Sequence, residues 1–535
     1  MAPGAEGRRT ARSAGGGLAL AAAIVAFGFV GSRLLGIVRT IVIANAFGAS
    51  PELDAYNVAF RIPDMIFQVL AGATLGSAFI PVFARKFERE GAAEAWLLAS
   101  RVLNLVVLAT AALCAAAFFL APLLVPAIAP GLGDDIGRSE ELTGTAVELT
   151  RVMLVSTLLF AASGMLTGML NGRERFFLPA LAPMLYNLGI ILGAVVFADR
   201  WGVNGLAFGV VLGAAMHLGI QVPGVAAEGF RYRPSLGWGE PGVMEVGRLM
   251  APRVVGLAAA QVNFVVTGFF ASKVGASAIS NMTYAWLLAG LPLALFGMAL
   301  STAVFPRLAG QVAREELDEL NRTVSRVLRL IMFLTVPAAL GLAMLREPAA
   351  ITLLERGAFT RADSLMTAAA LGWYCLGIVP QAGIEIHSRG FYALGDTRTP
   401  VTLAVLAVGV NLLLGALLWE PFGVSGLAFA VGAASWAEWL GLYVLFLRRT
   451  GWNPAEELGA MARVAVAGGL MAVALSAATV LLDSETRTHA AVTAAAGVAA
   501  GALCYAAACL ALRVPELEDV TARLAARLRR RPAPE

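Results

Sequence analysis

Apolar stretches long enough to cross a membrane recur along the whole chain, from residue 17 to residue 512. Each has at least roughly 18 residues, the length at which a helix begins to span a hydrocarbon core about 30 Å thick. Backbone polar groups find no water there, so spanning segments are helices or the strands of a closed barrel. The stretches are too long and too continuous for barrel strands. The sequence therefore predicts an all-α polytopic membrane protein.

The composition agrees with this class, because 59% of the residues are hydrophobic, 14% are charged and the mean hydropathy is +0.76. The net charge of +4 does not indicate a nucleic-acid partner, because the arginines form short clusters between apolar stretches. The three histidines are scattered, and the four cysteines lie in apolar stretches without the spacing of metal ligands. The sequence therefore predicts no metal site and no cofactor.

Hydropathy, Pro and Gly positions and charge clusters together predict fourteen spans. Their approximate bounds are 17–45, 57–84, 97–129, 145–170, 178–198, 203–224, 247–272, 280–306, 323–345, 364–388, 399–419, 424–447, 460–482 and 489–512. Arginine-rich loops alternate with short or acidic loops, and only the loop with Arg346, Arg356 and Arg361 fits poorly. Because basic loops stay in the cytoplasm, both termini are predicted on the cytoplasmic side.

An internal repeat divides most of the chain into two copies. GVNGLAFGV from Gly202 matches GVSGLAFAV from Gly423, and Pro179 matches Pro400 at the same offset, with no gap between the two matches. Six spans per copy leave the copies in the same orientation, which predicts two pseudo-symmetric lobes with a cavity between them, as in alternating-access transporters. The predicted divisions are a tail (1–16), an N-lobe (17–230), a C-lobe (231–450), two further spans (451–512) and an Arg-rich tail (513–535).

Two arginines, Arg33 and Arg39, lie inside the first predicted span. An arginine at the centre of a span costs from about 2.5 to more than 10 kcal/mol if it faces lipid, so both are expected to face protein, water or an anion. The planar guanidinium binds phosphate oxygens bidentately, which favours a phosphate or pyrophosphate site. Neutralising a buried carboxylate, or reaching the membrane surface, is the alternative.

The segment DAYNVAFRIPD, residues 54–64, places further charges at the head of the second span. Asp54 could bond backbone groups at the helix start or pair with Arg39, and Arg61 could be another anion ligand. Helix capping and local ion pairing are the simpler roles for both. The chain contains no GxSxG motif, no Walker A motif and no large extracytoplasmic domain, so the sequence predicts a protein that is not an enzyme.

Four segments follow one another along the chain: SRLLGIVRTIVIANAFGASPELDAYNVAFRIPD, SAFIPVFARKF, NGRERFFLPALAPMLYN and FYALGDTRTPV. Together they resemble the MurJ (MviN) family of the MOP exporter superfamily, the lipid II flippases of bacterial cell-wall synthesis. The resemblance covers nearly the whole chain. It implies a protein of the bacterial cytoplasmic membrane that moves undecaprenyl-pyrophosphate-linked disaccharide-pentapeptide to the outer face by alternating access. An ion gradient or the membrane potential, rather than ATP, would drive it.

The resemblance also implies roles for individual residues. Arg33 and Arg39 match functionally important arginines of the first span, and Asp54 matches an aspartate at the start of the second. Many family members carry more charged residues in the second and eighth spans. The matching positions here are uncharged and hold Phe67, Gln68, Gly72, Trp286 and Leu287.

The leading hypothesis is a monomeric lipid II flippase in which Arg33 and Arg39 bind the pyrophosphate, Asp54 braces the gate and Arg61 assists. Its expected partners are lipid II, membrane lipids and a coupling ion. Export of another polyprenyl-linked glycan or of an amphipathic small molecule is the second hypothesis. A non-transporting scaffold for the cell-wall machinery is the third, and the missing family arginines favour it.

Overall fold

The computed structural model describes residues 6–74, 78–481 and 486–517. Within these ranges the chain is helical, with short turns and no strand, which confirms the predicted all-α class. The helices of the first half are α1 (Glu6–Phe47), α2 (Pro51–Thr74), α3 (Ile80–Glu90), α4 (Ala92–Ile128), α5 (Ser139–Gly172), α6 (Phe177–Leu192), α7 (Ala198–Trp201), α8 (Val203–Gly219), α9 (Val222–Ala227) and α10 (Pro241–Val274). Helix α1 thus begins inside the predicted N-terminal tail.

The second half has the same character. Its helices are α11 (Ala278–Pro292), α12 (Ala299–Ala313), α13 (Leu317–Met344), α14 (Arg346–Leu354), α15 (Arg361–Ala393), α16 (Arg398–Thr450), α17 (Ala455–Leu481) and α18 (Arg487–Ala511). Short π-helical turns at Gly193–Phe197 and Leu293–Met298 join α6 to α7 and α11 to α12.

Eleven helical stretches of the described chain are long and apolar enough to cross a membrane. One of them, α16, has a non-helical residue at Gly423 and covers two predicted spans. Helix α10 covers the predicted seventh span, whereas the predicted second span is divided between α2 and α3. The described parts of the predicted spans are mainly helical, and the polytopic class is confirmed. Residues 75–77 of the second span and residue 482 of the thirteenth lie outside the described ranges.

The chain forms two compact units, Met1–Val265 and Val266–Glu535, and the division falls inside α10. In the first unit, aromatic rings of Phe79, Phe83 and Trp96 pack at the centre of the core, with neighbouring centroids 5.1–5.2 Å apart. In the second unit, Ile331 of α13 and Trp439 of α16 belong to the core that α13, α15 and α16 enclose. The lobe boundaries predicted from the sequence stay predictions.

The internal repeat is visible in the backbone. Gly202 has φ 52° and ψ −133°, and Gly423, its counterpart in the second copy, has φ 53° and ψ −136°. A side chain disfavours this conformation, so both copies need glycine at the break. Helix α6 begins at Phe177 and α16 at Arg398, two positions that the repeat also pairs. The two copies therefore share their helix starts and their breaks.

Glycines also allow α6 and α8 to pack backbone against backbone in the first unit. A Cβ atom at Gly193 would lie 2.6 Å from the Gly209 Cα. One at Gly213 would lie 2.5 Å from the Tyr186 carbonyl oxygen. Small residues permit such close approach between membrane helices, where van der Waals packing drives association. This contact fixes the position of Tyr186, which borders the candidate site.

Ion pairs of Glu228 and Glu240 connect loop residues of the first unit to neighbouring helices and turns. Glu240, at the start of α10, accepts hydrogen bonds from Lys86 at 2.6 Å and from Arg101. Burial raises the pKa of Glu240, but the hydrogen bonds and charges of Lys86 and Arg101 together lower it by more, so the pKa lies below its ordinary value. Glu228 is paired with Arg175 at 2.6 Å and with Arg173 at 3.4 Å, and these bonds likewise lower its pKa.

Candidate functional site

Helix α1 carries the two predicted site arginines and packs along α6. A Cβ atom at Gly28 would lie 2.5 Å from the Ala180 Cβ, and the Asn187 side-chain amide donates to the Ser32 carbonyl at 3.3 Å. At 100° per residue, Arg39 falls on the same side of α1 as Gly28, whereas Arg33 lies about 120° away from Arg39. The two arginines therefore leave α1 in different directions within the first unit.

Arg39 is half-buried on the α6 side of α1. Its guanidinium interacts electrostatically with two tyrosines, Tyr56 of α2 and Tyr186 of α6. Tyr56 is only 7% exposed, so the phenol lies in the interior of the unit. Arg39 is thus within electrostatic range of phenol groups on two other helices.

Arg33 is exposed on the surface of α1. Its Cζ atom lies 5.3 Å from the ring centroid of Phe29, one turn earlier on the same helix, which is a cation–π contact. An exposed arginine inside a spanning helix is costly against lipid, so its face of α1 is expected to meet water or an anion. Arg33 is thus the more exposed of the two arginines.

Asp54 lies in the first turn of α2 and is 2% exposed. Its backbone N–H donates to the Ser50 carbonyl at 3.0 Å, and the helix N-terminus favours a carboxylate at this position. Two residues earlier, Glu52 pairs with Arg138 at 2.7 Å. The position is compatible with helix capping, the simpler role considered from the sequence. Its role in the gate stays a prediction.

Arg61 is half-buried on α2, and its Cζ atom lies 5.2 Å from the ring centroid of Phe264. It interacts with the carboxylate of Asp64, which is also hydrogen-bonded to Gln68. This local electrostatic interaction is compatible with the alternative considered from the sequence, and the role of Arg61 stays a prediction. Arg61 therefore lies in a set of α2 and α10 side chains, while Arg39 is grouped with Tyr56 and Tyr186.

Aromatic packing takes the place of charge where the chain departs from the family pattern. The Phe67 ring lies 5.1 Å from that of Phe160, which in turn lies 4.8 Å from Tyr186. In the second unit, the Trp286 ring lies 5.4 Å from Tyr374. Ring contacts are thus present at two of the five uncharged positions, and Tyr186, which interacts electrostatically with Arg39, belongs to one of them.

A polar chain between α5 and the α8–α9 segment was missed by sequence reasoning. The Ser163 hydroxyl lies 2.6 Å from His217 Nδ1, Gln221 Nε2 donates to Ser163 at 2.8 Å, and Thr167 donates to Gln221 at 2.7 Å. Ser163 and Gln221 are fully buried. The available signal was the four-residue spacing of Ser163 and Thr167 on one span and of His217 and Gln221 on another.

Within residues 6–74, 78–481 and 486–517, no group of three or more His, Cys, Asp or Glu side chains is arranged to hold a metal ion. The charged groups that α1 carries in its spanning part are instead the guanidinium groups of Arg33 and Arg39. Guanidinium groups bind anions and do not ligate cations. The chemistry available around α1 is therefore recognition of a polar or anionic ligand.

Comparisons with known proteins agree with this description. The fold is shared with a solved lipid II flippase MurJ in an inward closed conformation, with TM-score 0.77 and 23% identity over 93% of this chain and 99% of that one. It is also shared with an inward-facing multidrug resistance MATE transporter of the MOP superfamily, with TM-score 0.63 and 15% identity over 78% and 94% of the chains. The molecule is thus a polytopic membrane protein with the fold of MOP-superfamily transporters.

Sequence comparison narrows this class to one family. The chain is 32% identical to the probable lipid II flippase MurJ of Rhizobium meliloti over 461 residues, 83% of this chain and 84% of that protein. It is 31% identical to the lipid II flippase MurJ of Burkholderia cenocepacia over 430 residues, 79% and 83% of the two chains. The family model for the lipid II flippase MurJ matches residues 43–497, so the chain belongs to this family. The suspected resemblance is confirmed.

Proposed function

We propose that this chain translocates lipid II across the bacterial cytoplasmic membrane by alternating access, with Arg33 and Arg39 binding the pyrophosphate. Membership of the flippase family supports the cargo. The observation that carries the site is the position of two arginines on one spanning helix, one exposed and one half-buried beside two tyrosines. Asp54 and Arg61 have auxiliary roles at the head of α2.

Arg33 and Arg39 have different roles in this proposal. Arg33 is exposed and meets the pyrophosphate first, because a guanidinium fork binds two phosphate oxygens at once. Arg39 lies deeper and offers a second fork, while Tyr56 and Tyr186 supply hydroxyl donors beside it. Hydrogen bonds to a charged group contribute about 1.5–3 kcal/mol each. Loss of either arginine should therefore slow transport by about tenfold or more.

The test is translocation of lipid II in cells that have no other flippase, with the variants Arg33→Ala, Arg39→Ala and Arg39→Lys. We expect both alanine variants to accumulate lipid II on the cytoplasmic face. Lysine keeps the charge but loses the fork, so Arg39→Lys should be intermediate. Full translocation by both alanine variants would overturn the site assignment.

Arg151→Ala is the matched control. Arg151 is also an arginine of a spanning helix, but its Nε donates to the Phe118 carbonyl at 3.2 Å and its guanidinium lies over the Phe118 ring at 4.9 Å. These contacts give it a structural role within the first unit. Arg151→Ala should therefore leave translocation close to that of the unaltered protein at equal expression.

A second candidate function is export of another polyprenyl-linked glycan. The uncharged side chains at Phe67, Gln68, Trp286 and Leu287 favour it, because they reduce the positive charge available to a cargo. Depleting the protein and identifying the lipid-linked precursor that accumulates distinguishes the two cargoes. Accumulation of lipid II supports the flippase proposal, and accumulation of a different precursor supports the alternative.

The proposal includes a topology and a mode of action. Both termini lie in the cytoplasm, in agreement with the arginine-rich loops, and the transporter acts as a monomer without enzymatic activity. The predicted lobes are the parts that alternate, and an ion gradient or the membrane potential drives them. Cysteine-accessibility labelling of each terminus from the two sides of the membrane tests the orientation. Labelling of a terminus only from outside would contradict it.

A further inference from the structure

An apolar pocket of about 210 Å³ lies in the second unit, where α16 is broken. Its wall consists of Trp373 from α15 together with residues of α16 on both sides of Gly423: Leu418, Phe422, Ser425, Gly426 and Phe429. The rings of Trp373 and Phe429 meet at 90° with centroids 5.4 Å apart. Phe422 is 62% exposed, so the pocket is open to the surroundings of the helices. Its lining suits hydrocarbon.

At the same break in the first unit, a tryptophan lies where the second unit has phenylalanine. There Trp201 packs between Phe197 and Phe208, with centroid distances of 5.7 and 5.6 Å. Phe422 stands at the position of Trp201 in the second copy, since each directly precedes the glycine of its break. The two copies thus share the backbone break and differ in the size of the aromatic side chain before it.

A cation lies near the same break, because Val274, the residue after Lys273, has its Cγ1 3.4 Å from the place that a Cβ atom of Gly423 would take. Lys273, in the last turn of α10, places its Nζ 4.6 Å from the Phe269 ring and 5.7 Å from the Trp419 ring. Trp419 directly follows Leu418 of the pocket wall. Ring faces attract an ammonium group but carry no net negative charge, so an anion can still bind to it. Lysines at the ends of spanning helices place their charge at the level of the lipid headgroups.

We propose that this pocket and Lys273 form a binding site for an anionic phospholipid of the bilayer. One acyl chain occupies the pocket, and the phosphate lies at the Lys273 ammonium group. An apolar pocket next to a cation matches the two parts of such a lipid, and phospholipids surround spanning helices at high concentration. The proposal is independent of which cargo the protein transports.

The first test measures lipids retained by the full-length protein after extraction from bilayers of phosphatidylcholine and phosphatidylglycerol, by native mass spectrometry. A lysine near a membrane surface changes the binding of an anionic lipid by about fivefold. Lys273→Gln should therefore lower retained phosphatidylglycerol about fivefold and leave phosphatidylcholine unchanged. Phe422→Trp introduces the larger side chain that the first unit has at this position, and it should lower retention of both lipids because it occupies the pocket.

Two variants serve as matched controls. Lys86→Gln removes the only other lysine, which pairs with Glu240, and Leu417→Trp adds an indole at a 62% exposed position outside the pocket. Both should retain lipids like the unaltered protein. Unchanged retention in Lys273→Gln and Phe422→Trp would overturn the proposal. Displacement of phosphatidylglycerol by added lipid II would assign the site to the cargo and overturn it as well.

A second test uses the scarcity of lysine. In a Lys86→Arg variant, Lys273 is the only lysine side chain, so an amine-reactive reagent reports on it alone among side chains. Its acylation should be about fivefold slower in bilayers with phosphatidylglycerol than in pure phosphatidylcholine. Adding Phe422→Trp should remove this protection. Equal protection with and without Phe422→Trp would show a general surface effect and refute a site at the pocket.

Discussion

Replacing Gly213 by alanine tests whether the close α6–α8 contact holds the candidate site together. The new Cβ would lie 2.5 Å from the Tyr186 carbonyl oxygen and 2.9 Å from its ring Cδ2. Real Cβ contacts are essentially never shorter than 3.0 Å, so one of the two helices must shift. The carbonyl belongs to helical backbone and cannot move away by a rotamer change. The clash therefore separates α6 from α8.

The magnitude follows from two opposing effects. Overpacking a well-packed interior costs about 1–3 kcal/mol, and a clash with backbone falls in the upper part of this range. Alanine is a better helix former than glycine by about 1 kcal/mol, which offsets part of the cost. The net loss, about 1–2 kcal/mol, should lower the melting temperature by about 1–2 °C, because the entropy of unfolding grows with chain length. Because Tyr186 neighbours Arg39, lipid II translocation should fall in parallel.

The assay is thermal unfolding of the purified protein in detergent, followed by intrinsic fluorescence at one fixed scan rate, since unfolding of such proteins is often irreversible. Gly409→Ala is the matched control, because a Cβ atom at this helical position has no neighbour within 4 Å. That variant should melt at the same temperature as the unaltered protein or slightly higher. If Gly213→Ala and Gly409→Ala have the same melting temperature, the close α6–α8 contact does not stabilise the fold as argued.

Three further predictions concern charges and backbone breaks. Glu240→Gln leaves a lysine and an arginine without their shared carboxylate. It should lower the free energy of unfolding by about 2–3 kcal/mol, which is less than the roughly 3–5 kcal/mol for breaking a fully buried pair. Glu319→Gln, in an exposed pair, should change the free energy of unfolding by less than about 0.5 kcal/mol. The pKa of Glu228 is held below its ordinary value of 4.5, so its ion pairs stabilise the fold fully above pH 4.5 and are lost as the pH falls through the lower pKa of the folded state. Across this pH window, the melting temperature of Glu228→Gln should fall less steeply than that of the unaltered protein. An unchanged slope would contradict the assignment. Gly202→Ala and Gly423→Ala should each cost about 1–3 kcal/mol because both residues have positive φ, and clearly unequal melting temperatures would contradict the equivalence of the two breaks.

The sequence predicted the spans because hydrocarbon leaves the backbone few alternatives, and long apolar runs therefore specify helices. The repeat offset also predicted equivalent positions in the two copies, and the matching dihedral angles of Gly202 and Gly423 confirm that equivalence. The motif could not reveal that these glycines break the helices. A positive φ depends on how the chain turns between two packed spans, and glycine permits that conformation without requiring it.

The candidate site was predictable only in part. A charge inside an apolar run is visible in the local sequence, and an arginine that faces lipid is costly. Arg33 and Arg39 could therefore be chosen as candidate site residues from the sequence alone. Their surroundings could not be read in this way, because Tyr56 and Tyr186 come from two other helices. The polar chain at His217 was missed for the same reason, since its members lie on spans that are far apart in the sequence. Contacts between helices depend on packing, which a single sequence does not display.

Positions at which the two repeat copies differ are more informative about function than positions at which they agree. Gly209 and Gly213 of the first copy correspond to Ala430 and Ala434 in the second, at the same offset as the paired glycine breaks. Alanine at those places removes the glycines that allow backbone contact in the first copy. In the first copy this contact holds Tyr186, which interacts electrostatically with Arg39, and Trp201 packs on Phe208 at the break, whereas a pocket lies at the break of the second copy. The two copies thus share the backbone break and differ in the small and aromatic side chains on which the two proposed binding sites depend.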